Sequence, residues 1–174
     1  MDTSGKHDLK SVQENIAKIG VLIADSDRRI AGIVREVLES LGFKRIFTTR
    51  DGAEALEIIR KEKIDMLITD WRMAPMDGIN LVKYLRTADD SPSRFMPIIM
   101  LTGNVEREHV EEARDVGVTE FVLKPFSAKT LFNRITTVIE NPRSFVMNKN
   151  YVGPDRRRRN ALPPGGVDRR KKQV

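Results

Sequence analysis

The chain has no cysteine and only two histidines, His7 and His109, which stand far apart among polar neighbours. The first absence excludes a disulfide framework and thiolate chemistry. Together they leave no Cys/His set from which a zinc site could be built. No apolar run approaches the length of a membrane span, and the first twenty residues carry charges throughout, where a secretory leader would be apolar. The sequence therefore predicts a cytoplasmic protein without a membrane span. At 174 residues it has room for one domain with a real core and an appendage.

Negative charge is scarce at one end only. From Asn141 onward there are ten Lys/Arg and two Asp, a balance of +8, while the remaining residues hold 21 basic and 23 acidic groups, a balance of −2. The formal charge of +6 is a property of this tail. Residues 148–174 hold few large apolar side chains and carry Pro and Gly at 153–154 and 163–166. Such a segment cannot bury enough surface to offset its ordering entropy, so disorder is expected in the absence of a ligand.

A short phrase is written twice there, Gly153-Pro154-Asp155-Arg156-Arg157 and Gly166-Val167-Asp168-Arg169-Arg170. A tail needing only positive charge gains nothing from the two Asp, since each cancels part of the attraction. An Arg fork can bond O6 and N7 of guanine, and a carboxylate can accept from N–H donors on the base's other edge. The phrase has the chemistry of a guanine reader. A solubilising terminus, a nonspecific nucleic-acid arm and a binder of anionic membrane stand as alternatives.

Between Ile19 and Glu140, short apolar runs alternate with amphipathic stretches, the pattern of βα units around a parallel sheet. Five runs are expected as buried strands: Gly20–Ala24, Arg45–Thr48, Met66–Thr69, Pro97–Leu101 and Glu120–Leu123. Helical spacing from Ile30 to Leu41 is stopped by Gly42, and further helices are expected over Gly52–Lys61, Gly78–Arg86, Glu106–Val116 and Ser127–Ile139. Residues 1–18 are expected to be loose, with Val12, Ile16 and Ile19 able to form a turn of helix packed on the domain. Three segments follow: 1–18, a folded unit at 19–141, and the tail at 142–174. No DNA-binding domain is evident among them.

In an open parallel sheet, functional groups collect at the carboxyl ends of the strands. Here those positions carry Asp25, Ser26 and Asp27; Asp70; Thr102; and Lys124-Pro125. With Asp70-Trp71-Arg72-Met73-Ala74-Pro75-Met76-Asp77-Gly78, Leu101-Thr102-Gly103 and Leu123-Lys124-Pro125 in that order, the chain resembles a CheY-like response-regulator receiver domain. The resemblance implies a flavodoxin-like, doubly wound (βα)5 parallel sheet of strand order 2-1-3-4-5. It implies Asp70 as phospho-acceptor, Lys124 as partner of the phosphoryl group, Thr102 as a hydrogen-bonding switch residue and Phe121 as the aromatic switch position. It also implies a histidine kinase as phosphoryl source and Mg²⁺ on Asp25 and Asp70, with Asp27 as a third candidate ligand whose position also suits a side chain aimed into the first turn of the following helix. Such chemistry needs a cation to neutralise repulsion between carboxylate and phosphoryl group, and a Lys to carry charge on the transferring oxygens. Ser26 stands where the family usually has a second adjacent acid, so weakened magnesium binding is expected.

With a receiver body, the tail resembles that of the Cle family, CheY-like effectors whose Arg-rich extension binds cyclic di-GMP and docks the receiver on the flagellar motor. The matching stretch is Tyr151, Val152, Gly153, Pro154, Asp155, Arg156, Arg157, Arg158 and Arg159, with Asp168, Arg169 and Arg170 as the second copy. The implied partners are cyclic di-GMP and a flagellar motor switch protein, and the implied role is a non-enzymatic one. Discriminating base contacts contribute about 1–3 kcal/mol each. Ordering a disordered segment consumes about 2–5 kcal/mol. A single copy is therefore too little, and both are expected to act together.

Overall fold

A computed structural model of the chain describes residues 13–103, 107–148 and 151–155. Five strands, β1 (Gly20–Ala24), β2 (Arg45–Thr49), β3 (Met66–Asp70), β4 (Ile98–Thr102) and β5 (Glu120–Leu123), form one parallel sheet in the order 2-1-3-4-5. The strand runs are continuously apolar because both faces are covered, and alternation assigns successive residues to opposite layers. Leu22, Ala24, Leu67, Ile98 and Met100 enter one layer. Val21, Ile23, Met66, Ile68, Ile99 and Leu101 enter the other.

Helix α1 (Arg28–Ser40) follows β1, α2 (Gly52–Lys61) follows β2, α3 (Gly78–Thr87) follows β3, α4 (Arg107–Asp115) follows β4 and α5 (Ala128–Glu140) follows β5. Four of them start on a side chain that satisfies otherwise orphaned N–H groups. Asp27 accepts from Arg29, Asp51 from Ala53 and Glu54, Asp77 from Asn80, and Ser127 from Thr130. Past α1, Gly42 takes the left-handed conformation at φ 95° while Phe43 N–H bonds back to the Leu38 carbonyl, which turns the chain toward β2. Before β1, residues 13–18 are helical, and Ile16 and Ile19 lie on the layer beneath α1 and α5.

Three boundaries differ from expectation in ways that matter. β4 starts at Ile98 because Pro97 has no N–H to give; it contributes its carbonyl to Leu67. β3 extends to Asp70 and β4 to Thr102, paired with Leu101 and Leu123 respectively. These two residues are the last rungs of the ladder, held by strand hydrogen bonds.

The expected looseness from residue 148 does not hold for residues 151–155. β6 (Phe145–Asn148) and β7 (Tyr151–Pro154) pair antiparallel, Phe145 opposite Pro154 and Asn148 opposite Tyr151. The hairpin packs on the domain, which supplies partners that its own composition lacks. The remaining recognition residues of the tail, Arg156, Arg157, Arg158, Arg159, Asp168, Arg169 and Arg170, lie outside the described residues.

Candidate functional site

The carboxyl edge of the sheet brings Asp25, Asp70, Thr102 and Lys124 together. Asp25 is 1% exposed. Its N–H donates to the Thr49 carbonyl at 3.1 Å, and its Oδ1 accepts from the Asp27 N–H at 2.9 Å. Lys124 leaves β5 with its N–H on the Thr102 carbonyl at 2.7 Å. Its Nζ lies 2.8 Å from Asp25 Oδ2 and 2.9 Å from Asp70 Oδ1. One ammonium thus bridges two carboxylates, leaving the trio one positive charge short of neutral.

The electrostatics follow from burial. Desolvation raises the Asp25 carboxyl above its ordinary range, against the opposing pull of its hydrogen bonds to Lys124 and Asp27. For Lys124, burial alone would lower the ammonium, yet its bonds to Asp25 and Asp70 outweigh that and hold it above its usual value. The ammonium therefore stays charged at neutral pH.

Asp70 is positioned by its neighbours' backbone. Trp71 N–H donates to the Leu101 carbonyl, and Gly78 N–H to the Trp71 carbonyl at 2.9 Å. A Cβ on Gly78 would sit 2.0 Å from the Asp70 carbonyl oxygen, so the loop from Trp71 to Asp77 can fold over Asp70 only with glycine at its end. Thr102 is buried at the adjoining strand end, and Phe121 packs half-buried on the layer shared with α2 and α3. Trp71 lies partly buried at the rim.

Asp27, counted above among carboxylates that could reach magnesium, is instead engaged by the first turn of α1. It accepts from the Arg29 N–H at 2.8 Å and pairs with that residue's guanidinium at 3.2 Å. Ser26 is exposed. Among the described residues no cluster of three or more His, Cys, Asp or Glu is arranged for a metal. A cation here would rest on Asp25 and Asp70. Magnesium is commonly held through one or two carboxylates, with water and phosphate oxygens completing its shell, so the donor set fits that ion in reduced form.

A second constellation lies at the opposite, amino-terminal edge of the sheet, where the hairpin docks. Its centre is Arg86 on α3, 1% exposed. Nε donates to the Gly117 carbonyl at 3.1 Å, Nη1 to Arg94 at 2.8 Å and Nη2 to Met96 at 2.8 Å. The guanidinium carbon stands 5.1 Å from the centroid of the Phe145 ring, which meets Phe95 edge-on at 5.7 Å. Gly117, at φ 97°, abuts β7: a Cβ there would come 2.6 Å from the Val152 carbonyl oxygen, and one on Gly153 would come 2.8 Å from the Gly117 Cα. Arg143 donates to the Thr119 carbonyl, the Tyr151 hydroxyl to the Pro154 carbonyl, and the Asp155 N–H to the Ser144 carbonyl. Of the tail residues named from sequence, Tyr151, Pro154 and Asp155 are thus placed beside α3 and the approach to β5.

Sequence reasoning passed over Arg86, Gly117 and Phe145. The apolar pairs Phe145-Val146 and Tyr151-Val152, flanking a polar stretch with two Asn, carried a hairpin signal.

Comparison with known proteins covers the first constellation. The family described as response regulator receiver domain matches residues 21–136. Chemotaxis protein CheY-3 of Vibrio cholerae serotype O1 is 35% identical over 69% of this chain and 91% of its own length. Chemotaxis protein CheY of Pseudomonas aeruginosa is 33% identical over 69% and 95%. Among solved structures, Vibrio cholerae CheY4 superposes with a TM-score of 0.63 at 34% identity, covering 69% of this chain and 98% of that one. The receiver domain of a sensor histidine kinase from Pseudomonas aeruginosa, solved with magnesium in its active-site cleft, gives 0.59 at 26% identity over 68% and 94%. The family match ends before β6, so the hairpin lies beyond it.

Proposed function

The chain belongs to the response-regulator receiver family, and from that premise we propose that it is a cytoplasmic, non-enzymatic CheY-like effector whose Arg-rich tail binds cyclic di-GMP. Its receiver then docks on a protein partner, the flagellar motor switch, to tune motility. The observation that carries this reading is the repeated Gly-x-Asp-Arg-Arg phrase, two carboxylates placed directly before guanidinium pairs in a segment of balance +8. The attachment of β7 to the receiver is in keeping with it, because the first copy begins on that strand.

Calorimetric titration of the intact chain tests the proposal. Cyclic di-GMP is expected to bind far more tightly than GTP, and Asp155→Asn or Asp168→Asn to weaken binding although each makes the tail more basic. Equal affinity for GTP, or unchanged binding in both variants, would reduce the tail to charge attraction. Motor switch protein binding should rise with the ligand and, by linkage, tighten ligand binding by the same factor.

A second reading is favoured by the Asp25–Lys124–Asp70 geometry: a phosphoryl-accepting regulator addressed by a histidine kinase. An Asp70 carboxylate oxygen would attack phosphorus of a phosphohistidine, forming an acyl phosphate as the N–P bond breaks and the imidazole leaves. Lys124 would move with the negative charge on the phosphoryl oxygens and Thr102 would donate to one of them. Magnesium, held by Asp25 and Asp70, would supply neutralising positive charge. Magnesium-dependent labelling of Asp70 by acetyl phosphate, absent in Asp70→Asn, tests this reading.

A further inference from the structure

Arg86 is an odd residue to bury. No carboxylate among the described residues pairs with it; its fork is spent on three backbone carbonyls from two separate connections, and its face on the Phe145 ring. A buried charge is a poor means of gaining stability alone, since desolvation opposes it. What this arrangement does achieve is geometric. The three carbonyls fix the guanidinium plane, that plane seats Phe145, and Phe145 begins the hairpin whose far strand ends at Pro154, just before Asp155. The Asp155 N–H is then tied to Ser144 at 2.7 Å, so the carboxylate of the first Asp-Arg-Arg copy belongs to a residue fixed on the receiver.

We infer that Arg86 and Phe145 are positioning residues for ligand recognition by the tail, clamping β6–β7 on the receiver so that the first copy is presented from a fixed point. The inference rests on the cyclic di-GMP reading above. Binding energy then need not be spent on ordering the hairpin, and ligand binding and hairpin docking are linked.

The experiment titrates cyclic di-GMP into the full chain and into Phe145→Ala, Phe145→Tyr and Gly117→Ala. Phe145 is half-buried at the edge of the fold, so its truncation spares the sheet, and far-UV circular dichroism with Trp71 fluorescence reports that the receiver is intact in each variant. Phe145→Ala is expected to bind about tenfold more weakly, as follows when the docked state falls to about a tenth of the population. Phe145→Tyr, which keeps a ring over the guanidinium, should restore the affinity. Gly117→Ala acts from the receiver side of the same contact and should weaken binding in the same direction. Wild-type affinity in both Phe145→Ala and Gly117→Ala would overturn the inference and leave the cyclic di-GMP reading standing. Failure of the unmodified chain to bind cyclic di-GMP would overturn that reading, and the inference with it.

Discussion

Arg86→Met provides the sharpest test of how the hairpin is held. Methionine approximates the length of the buried stem and removes the fork. The Gly117, Arg94 and Met96 carbonyls then lose their donors, at about 1–3 kcal/mol for each buried group left unpaired. Loss of the contact with Phe145 adds about 0.5–2 kcal/mol. Against this, burial pulls the guanidinium down to about 10, a bias of about 3 kcal/mol against the charged form that methionine does not incur. Central values leave a net destabilisation of about 4 kcal/mol. Urea unfolding followed by Trp71 fluorescence would measure it. A double-mutant cycle with Phe145→Ala should isolate a coupling of about 0.5–2 kcal/mol between guanidinium and ring. A loss below about 1 kcal/mol, or a gain, would refute the hydrogen-bond argument, because hydrophobic replacement would then have outweighed three orphaned carbonyls.

Asp25→Asn should stabilise the chain relative to wild type at neutral pH: the folded-state carboxyl is raised above its unfolded value of 3.8, so its charged form opposes folding above the folded-state pKa. That advantage should disappear as pH falls below 3.8 in paired urea titrations, and an advantage that grows toward acid would contradict the sign. Ser26→Asp should tighten magnesium binding, read by Trp71 fluorescence, whereas Asp27→Ala should leave it unchanged while costing about 1 kcal/mol as a lost helix cap. An Asp27→Ala variant that loses magnesium affinity would return that carboxylate to the metal. Gly78→Ala should lower stability and slow phosphoryl labelling of Asp70, since its Cβ meets the Asp70 carbonyl at 2.0 Å; wild-type melting and labelling would show that the loop relaxes freely.

The sheet was legible because its strands announce themselves: Val21-Leu22-Ile23 and Ile98-Ile99-Met100-Leu101 are apolar on both faces, which only a doubly covered parallel sheet requires. The carboxylate and lysine cluster was legible for a related reason, since groups at successive strand ends must converge once the strands are parallel. Whether Asp27 caps a helix or reaches a cation was less so, because one carboxylate suits both and the choice depends on where the first turn of α1 points. The Arg86 clamp had no local signal at all. Its environment is assembled from α3, the connections at Arg94–Met96 and Gly117, and β6, and a lone arginine near a helix end reads as a solvated charge. The same long-range partners overrode the composition of residues 151–155, which alone would not fold.

The contact between Gly117 and Gly153 also has a genealogical meaning. A side chain on Gly117 would press on the Val152 carbonyl and one on Gly153 on the Gly117 backbone, and Arg86 has a seat for its guanidinium face only while Phe145 is there. The four residues form a unit of inheritance across two parts of one chain. A lineage that sheds the tail releases the constraint on Gly117 and Arg86 together, and a buried arginine there should drift to an apolar residue. A receiver that still carries both, in a chain whose end has changed beyond alignment, can be expected to own a hairpin.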